Sequence, residues 1–292
     1  MTGPGKNPGP FFFPRNSYPA SSDPRSTVAP DFPLTSGDDK QPVWHGSSLQ
    51  QDTGNALVPG FTQAFMVYCD HHVVVCGKGG KGMKHEERKD FDKEAAQWDA
   101  NPGRVKLAHD VADAMIREVH PTREMDVLDF GCGTGLVTMR LQPLVRNITG
   151  MDSSRGMLAV LEAKVRGQGS VNVRTQFLDL EQGGKVDGRY DLIVSSMTIH
   201  HVPDPAGLIA RLSGALLPRG TLAVADLDAE DGSFHGDNTG VLHLGFDRER
   251  IRGLFEQAGL TAVREATAAV VTKEIEGKGR REFPVFLIIG KK

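Results

Sequence analysis

Between residues 104 and 119 the apolar positions Leu107, Val111, Ala114 and Met115 recur at helical spacing. Pro121 follows, so an amphipathic helix is predicted there. Beyond it, short apolar runs alternate with helical faces. MDVLDF (125–130), NITGM (147–151), VNVRTQF (171–177), YDLIVSSM (190–197) and TLAVADL (221–227) read as strands. Helices fall between them. One runs from Leu136 onward, and one is capped by Asp152 and Ser153 with Leu158, Leu161 and Val165 on its face. Another starts at Pro205, continues through Leu208, Leu212 and Leu216, and stops at Pro218-Arg219-Gly220. A polar, glycine-rich insert (228–245) leads to a helix from Asp247 with Ile251, Leu254, Phe255 and Ala258 inward and Gly259 at its end. Two strands, near 261–271 and 282–290, close the pattern. Strands alternating with helices imply a doubly wound, Rossmann-like α/β domain, its mostly parallel sheet covered on both faces. A ligand is expected at the carboxyl ends of the strands.

Composition changes this picture at one boundary. Ten of the 17 prolines lie in residues 1–82, which hold six Lys/Arg, six Asp, no Glu and no Ile. Helical periodicity begins only after Met83. Residues 1–82 are therefore expected to be either a disordered extension or an untranslated one. The codons of Gly79-Gly80 can supply a purine-rich ribosome-binding element just before Met83. Residues 83–292 form the predicted working domain.

A net charge of −3 argues against a nucleic-acid surface, and no apolar run approaches the ~18 residues of a membrane span. Three cysteines without framework spacing fit a reduced, cytoplasmic protein. Cys69, His71, His72 and Cys76 are too crowded for a zinc set, so no metal is expected.

The candidate chemistry sits in DVLDFGCGTGL (126–136). Gly131, Gly133 and Gly135 alternate, but Leu136 occupies the place of the third glycine in a dinucleotide GxGxxG turn. Asp129 at the strand's end would repel a pyrophosphate and suit a cation. The phosphate-loop lysine is absent as well. S-adenosylmethionine, with an ammonium, a sulfonium and no phosphate, fits this turn. Asp152, in GMDSS, stands where a carboxylate would accept from both ribose hydroxyls. Asp179, in FLDLE, stands where one would accept from the adenine amino group, with the Leu180 amide facing the ring.

This constellation resembles the class I S-adenosylmethionine-dependent methyltransferases over about residues 88–292. It is most similar to the branch with the ubiquinone/menaquinone and other small-molecule enzymes. YDLIVSSMTIHHV, LLPRGTLAVADLD, FDKEAAQWD and LHLGFDRERIRGLFEQAGL carry the likeness beside the glycine motif. The resemblance implies a seven-stranded sheet ordered 3-2-1-4-5-7-6 with strand seven antiparallel. It places Asp129 and Gly131 near the methionine end, Asp152 at the ribose and Asp179 at adenine. Cys132, Gly133, Gly135, Met151, Leu180, Ser195 and Trp98 complete the expected cofactor set. Cys132 reads as a small neutral filler of the turn, not a nucleophile. Trp98 reads equally as a ring over the cofactor or as core.

The acceptor is expected to be a small molecule methylated at oxygen, carbon or nitrogen, by a monomer or homodimer. Ser195-Ser196-Met197 is not the Asn/Asp-Pro-Pro-aromatic motif of adenine-methylating enzymes. If a base is needed, the candidates are His200, His235 and His243. The neighbours His200 and His201 are expected to point in different directions. Two other readings stay open: a nicotinamide-dependent oxidoreductase, and an S-adenosylmethionine-binding module without turnover.

Overall fold

A computed structural model describes residues 64–69, 72–77, 89–180 and 184–292. The chain divides into two compact units, Met1–Gly80 and Lys81–Lys292. In the first, β1 (Ala64–Cys69) and β2 (His72–Gly77) pair antiparallel, with Ala64 opposite Gly77 and Cys69 opposite His72. The proline-rich composition around it masks this hairpin, whose second strand carries Val73-Val74-Val75. The side chains of the set from Cys69 to Cys76, and the rest of 1–82, lie outside the described residues.

The second unit opens with α1 (Phe91–Glu94) and a 3-10 turn (Ala95–Ala100), followed by α2 (Pro102–Val119). Then come β3 (Asp126–Phe130), α3 (Leu136–Leu141), β4 (Asn147–Asp152), α4 (Arg155–Gln168) and β5 (Val173–Phe177). β6 (Tyr190–Ser196), α5 (Pro205–Ala215), β7 (Leu216–Leu227), α6 (Arg248–Gln257), β8 (Thr261–Ile275) and β9 (Gly279–Lys291) complete it. The sheet runs β5-β4-β3-β6-β7-β9-β8, with β9 antiparallel to both of its neighbours. Counted from β3, that is the order 3-2-1-4-5-7-6, the expected topology.

The helices start where side chains can satisfy the orphan N–H groups of a first turn. Asn101 accepts from Gly103 and Arg104, Asp204 from Gly207 and Asp247 from Arg250. One cap differs from the sequence reading. Ser154, not Asp152 or Ser153, caps α4, its hydroxyl accepting from the Met157 amide at 3.0 Å. Pro218-Arg219-Gly220 likewise does not separate a helix from a strand. It is an irregularity inside β7, where the pairing jumps from Tyr190 with Leu216 to Leu192 with Thr221. Arg219 takes a left-handed φ of 68° and donates its amide to Lys292. The chain thus resumes its ladder after the turn.

Alternate strand residues feed opposite layers. Val127, Ile148, Leu192 and Ala223 pack with Val111 and Met115 of α2 and Leu141 of α3. Leu128, Met151, Ile193 and Leu222 pack with Leu208 and Leu212 of α5 and Ile251 and Phe255 of α6. Both layers are apolar, which leaves the polar residues at the ends of β3 to β7 as candidates for chemistry.

Candidate functional site

Three positive-φ glycines turn the chain between β3 and α3, at φ 71°, 53° and 81° for Gly131, Gly133 and Gly135. β4 holds the start of this turn: the Met151 carbonyl accepts from Gly131 at 2.8 Å and from Cys132 at 3.1 Å, while the Gly135 amide donates to the Cys132 carbonyl. The glycines differ in what a side chain would meet. A Cβ on Gly131 would strike the Thr198 side chain at 2.3 Å, and one on Gly135 would strike Leu161 at 2.3 Å. A Cβ on Gly133 would meet nothing within 4 Å. The three glycines, grouped alike in the expected cofactor set, thus differ in their surroundings. Two make room for packing, and Gly133 alone faces open space.

Asp152 ends β4 beside that opening. Its Oδ2 accepts from the Gly133 amide and its Oδ1 from the Ser154 amide, each at 2.8 Å. Burial pushes its carboxyl up against the pull of those donors. Asp129 lies beneath the turn at 1% exposure, accepting from the Thr138 hydroxyl at 2.6 Å. Burial, aided by the charge of Asp152, raises it to about 7. Two carboxylates pushed upward in this way would be relieved by a cation. Cys132 is buried, its thiol raised well above the usual range by desolvation, which fits a neutral filler. At the end of β5, Asp179 is half-buried and its carbonyl accepts from Gly184, while half-buried Leu180 packs against the α5 and α6 layer.

The amino-terminal cap is fastened onto these loops. Asp92 accepts from the Ser154 hydroxyl and from the Gly156 amide at the start of α4. These donors hold its carboxyl below the ordinary range, as an anion at a helix amino terminus should be. Asp99 accepts from Thr134 in the glycine turn at 2.7 Å and pairs with Lys164 of α4 at 2.6 Å. Trp98 sits half-buried in this cap, edge-on to Phe91 at 5.9 Å, with the Arg104 guanidinium 4.0 Å over its ring.

Beyond β6 the chain turns sharply at Met197, whose φ is 54°. A non-glycine residue there is strained by about 1–2 kcal/mol. The turn swings Thr198 over Gly131 and starts the 3-10 turn Ile199–His201. His200 is 1% exposed, and its Nδ1 lies 2.6 Å from Asp226 Oδ1 at the end of β7. Burial pushes the Asp226 carboxyl up, yet the imidazole and the backbone donors prevail and hold it below the usual range. An ionised carboxylate accepts only, so Nδ1 carries the hydrogen. His201 donates Nδ1–H to the Gly240 carbonyl at 2.6 Å, and desolvation together with His200 drops it to about 4. His235 of the insert is lowered to about 4 by the same two causes.

These observations meet independent likenesses. Residues 105–265 match the family described as methyltransferase domain. The chain belongs to this family. An uncharacterized methyltransferase of Schizosaccharomyces pombe is 35% identical over 152 residues, 47% of this chain and 54% of that protein. A ubiquinone biosynthesis O-methyltransferase of Coxiella burnetii is 29% identical over 145 residues, 49% of this chain and 62% of that protein. This chain thus spans little more than half the length of those curated relatives. In fold, a crystallised SAM-dependent methyltransferase of Aquifex aeolicus superposes with a TM-score of 0.51 at 20% identity, covering 70% of this chain and 99% of that one. The oxidoreductase reading is set aside with the family assignment.

Within the methyltransferase frame several residues stand otherwise than the sequence reading placed them. The adjacent histidines do not diverge. Drawn under the insert by Asp226 and Gly240, their rings lie 4.1 Å apart. His243 donates Nε2–H to the Val202 carbonyl and leans on Phe246 at 5.1 Å, lining a small cavity of about 160 Å³ with Pro205 and Leu254. Its nearest ring is Phe246, whereas His200 and His235 contact each other. Met151 contributes its carbonyl to the turn while its side chain is fully buried in the core. Ser195 is wholly buried within β6. Asp92, Asp99 and Asp226 escaped notice. The one signal for Asp226 was a charged residue inside the apolar run TLAVADL.

Proposed function

We propose that residues 83–292 bind S-adenosylmethionine across the ends of β3, β4 and β5 and transfer its methyl group to a small-molecule acceptor. Asp152 beside the open position at Gly133 carries this reading. The residues fit the ligand. The turn admits a group where a side chain would otherwise stand, and two upshifted carboxyls favour a cation over a phosphate. Asp152 would take the ribose hydroxyls, Asp179 and Leu180 the adenine, and the Gly131–Gly135 backbone the amino-acid end. The bound cofactor would supply a methyl on a sulfonium leaving group. The chain's own part is to hold the acceptor within about 3–3.5 Å of that methyl and to exclude water, with Trp98 and the cap closing one side. Base work falls to His200 and His235, and His243 becomes the weakest of the three candidates.

The likeness to an enzyme named for O-methylation in ubiquinone biosynthesis supports a small-molecule acceptor. A cytoplasmic monomer or homodimer, acting without nucleic acid or membrane, belongs to the same proposal, the net charge of −3 weighing against a nucleic-acid surface. Among the described residues no helix is long and apolar enough to cross a membrane. Residues 1–82 are proposed to be dispensable for this activity. Titration calorimetry with S-adenosylhomocysteine and with NADH tests the reading. Micromolar binding of the former alone is the predicted outcome, and binding of NADH alone overturns it.

A further inference from the structure

Two buried ring nitrogens, His200 Nε2 and His235 Nε2, have no hydrogen-bond partner among the described residues. Leaving a buried polar atom unpaired costs about 1–3 kcal/mol, so native proteins rarely keep one without a use. Here two occur in neighbouring rings whose centroids are 5.2 Å apart. Behind the first stands Asp226, itself fully buried, fixing His200 through Nδ1 and also accepting from the His200 backbone amide at 3.3 Å. An imidazole whose Nδ1–H is tied to a carboxylate presents a lone pair at Nε2, in the arrangement that makes histidine a general base.

We propose that His200, oriented by Asp226, is the general base of the methyl transfer, and that the acceptor is an acidic hydroxyl of phenol type. This rests on the cofactor reading above and deepens it. The acceptor hydroxyl gives its proton to His200 Nε2. Its oxygen forms the new O–CH3 bond while the S–CH3 bond breaks, with the bonding pair remaining on sulfur. The positive charge thereby moves from sulfonium to the His200 imidazolium, which Asp226 stabilises, and the proton later leaves to water. Asp226 is a positioning residue. His235, held neutral, sets no cation against the imidazolium that forms beside it.

The surroundings fit a flat acceptor better than an amine. Phe91 meets His201 edge-on at 5.2 Å, and Phe234 meets His235 at 4.9 Å. An aliphatic amine, largely ammonium at neutral pH, would also give up a proton, but its methylated product stays a cation against the imidazolium that forms, whereas a methylated phenol is neutral. The groups facing His200 are Asp226 on β7, His201 beside it and His235 on the insert, with Lys89 adding positive charge near the latter two. The insert covers the dyad, since the amides of Leu242 and His243 both donate to the His200 carbonyl. The acceptor therefore enters by displacing this glycine-punctuated segment, which turns at Gly232, Gly240 and Gly245.

The test uses the full chain and two readouts. The first is long-range 1H–15N NMR of its imidazoles at neutral pH, with His200 assigned through H200Q. A hydrogen on Nδ1 and a bare Nε2 are expected, and a hydrogen on Nε2 in the wild-type chain overturns the dyad. The second is transfer from methyl-labelled S-adenosylmethionine into a small-molecule cell extract, with the labelled atom identified by mass spectrometry. We expect label on oxygen, a loss of about 100-fold or more in H200Q, and a D226N loss in kcat with KM unchanged. Label on nitrogen, an H200Q rate within threefold of wild type, or no transfer by a chain that binds S-adenosylhomocysteine overturns the proposal while the cofactor reading stands. Failure to bind S-adenosylhomocysteine sinks the cofactor reading itself.

Discussion

The two halves of the sheet's carboxyl edge treat their polar groups in opposite ways. At the ends of β3 and β4 the carboxylates are anchored: Asp152 accepts from two backbone amides, and Asp129 from Thr138. At the ends of β6 and β7 one carboxylate is equally anchored, but it serves an imidazole whose far nitrogen is left bare. The first half is a finished cradle whose shape does not depend on an acceptor. The second leaves an acceptor open, which the proposed phenol-type hydroxyl would fill. On the proposed reading, binding and chemistry are separated across β3 and β6, with Thr198 packed on Gly131 as the seam between them.

The most severe way to break the first half is Gly133→Val. The backbone there has a φ of 53° and open space beyond it, so the branched side chain fills the ligand's approach. The variant should stay folded by circular dichroism and lose S-adenosylhomocysteine binding by more than about 100-fold, against a backbone strain of only about 1–2 kcal/mol. Retained affinity would mean that Gly133 serves the turn alone.

The next effect is on stability. Asp129 has a folded pKa of about 7 against 3.8 for the free side chain. A carboxyl raised on folding adds stability that is full below 3.8 and is lost as pH climbs through about 7. The shift corresponds to something on the order of 4 kcal/mol across that window. His201 and His235, lowered to about 4, act in reverse and cost stability as pH falls below 6.5. The difference between wild type and Asp129→Asn isolates the carboxyl. Denaturant melts should show the variant gaining on wild type as pH rises from 4 to 7, and parallel curves would refute the assignment.

How much of this was legible follows the same division. The acids and glycines of the first half occupy fixed places relative to strand ends, so spacing alone singled out Asp152 and Gly133, while the sheet order came from the family resemblance. What spacing missed was which contacts those residues make. Gly131 and Gly135 look like Gly133 in the sequence, and only Thr198 and Leu161, distant along the chain, tell them apart. In the second half the deciding pair, His200 and Asp226, is separated by 26 residues with a helix and a strand between them. Asp226 sits in a run that reads as apolar strand. The insert has no periodicity, so nothing in the pattern placed His235 against His200 or His243 against Phe246.

A smaller effect sharpens the role of the amino-terminal cap. Ser154 both caps α4 and donates to Asp92. Ser154→Ala should cost about 1 kcal/mol of stability from the lost cap and loosen residues 91–100, read as faster amide exchange at Phe91–Ala95. A stability loss without that faster exchange would show that Asp92 does not hold the cap down.

The separation of binding from chemistry is tested most directly by one calorimetric comparison, S-adenosylhomocysteine titrated into wild type, Asp152→Ala and His200→Gln. Loss of a charged hydrogen-bond partner is worth about 1.5–3 kcal/mol, so Asp152→Ala should weaken binding by about 10- to 150-fold. His200→Gln should bind as wild type does, within a factor of about two. If instead His200→Gln loses the ligand and Asp152→Ala keeps it, the cradle has been assigned to the wrong half of the sheet.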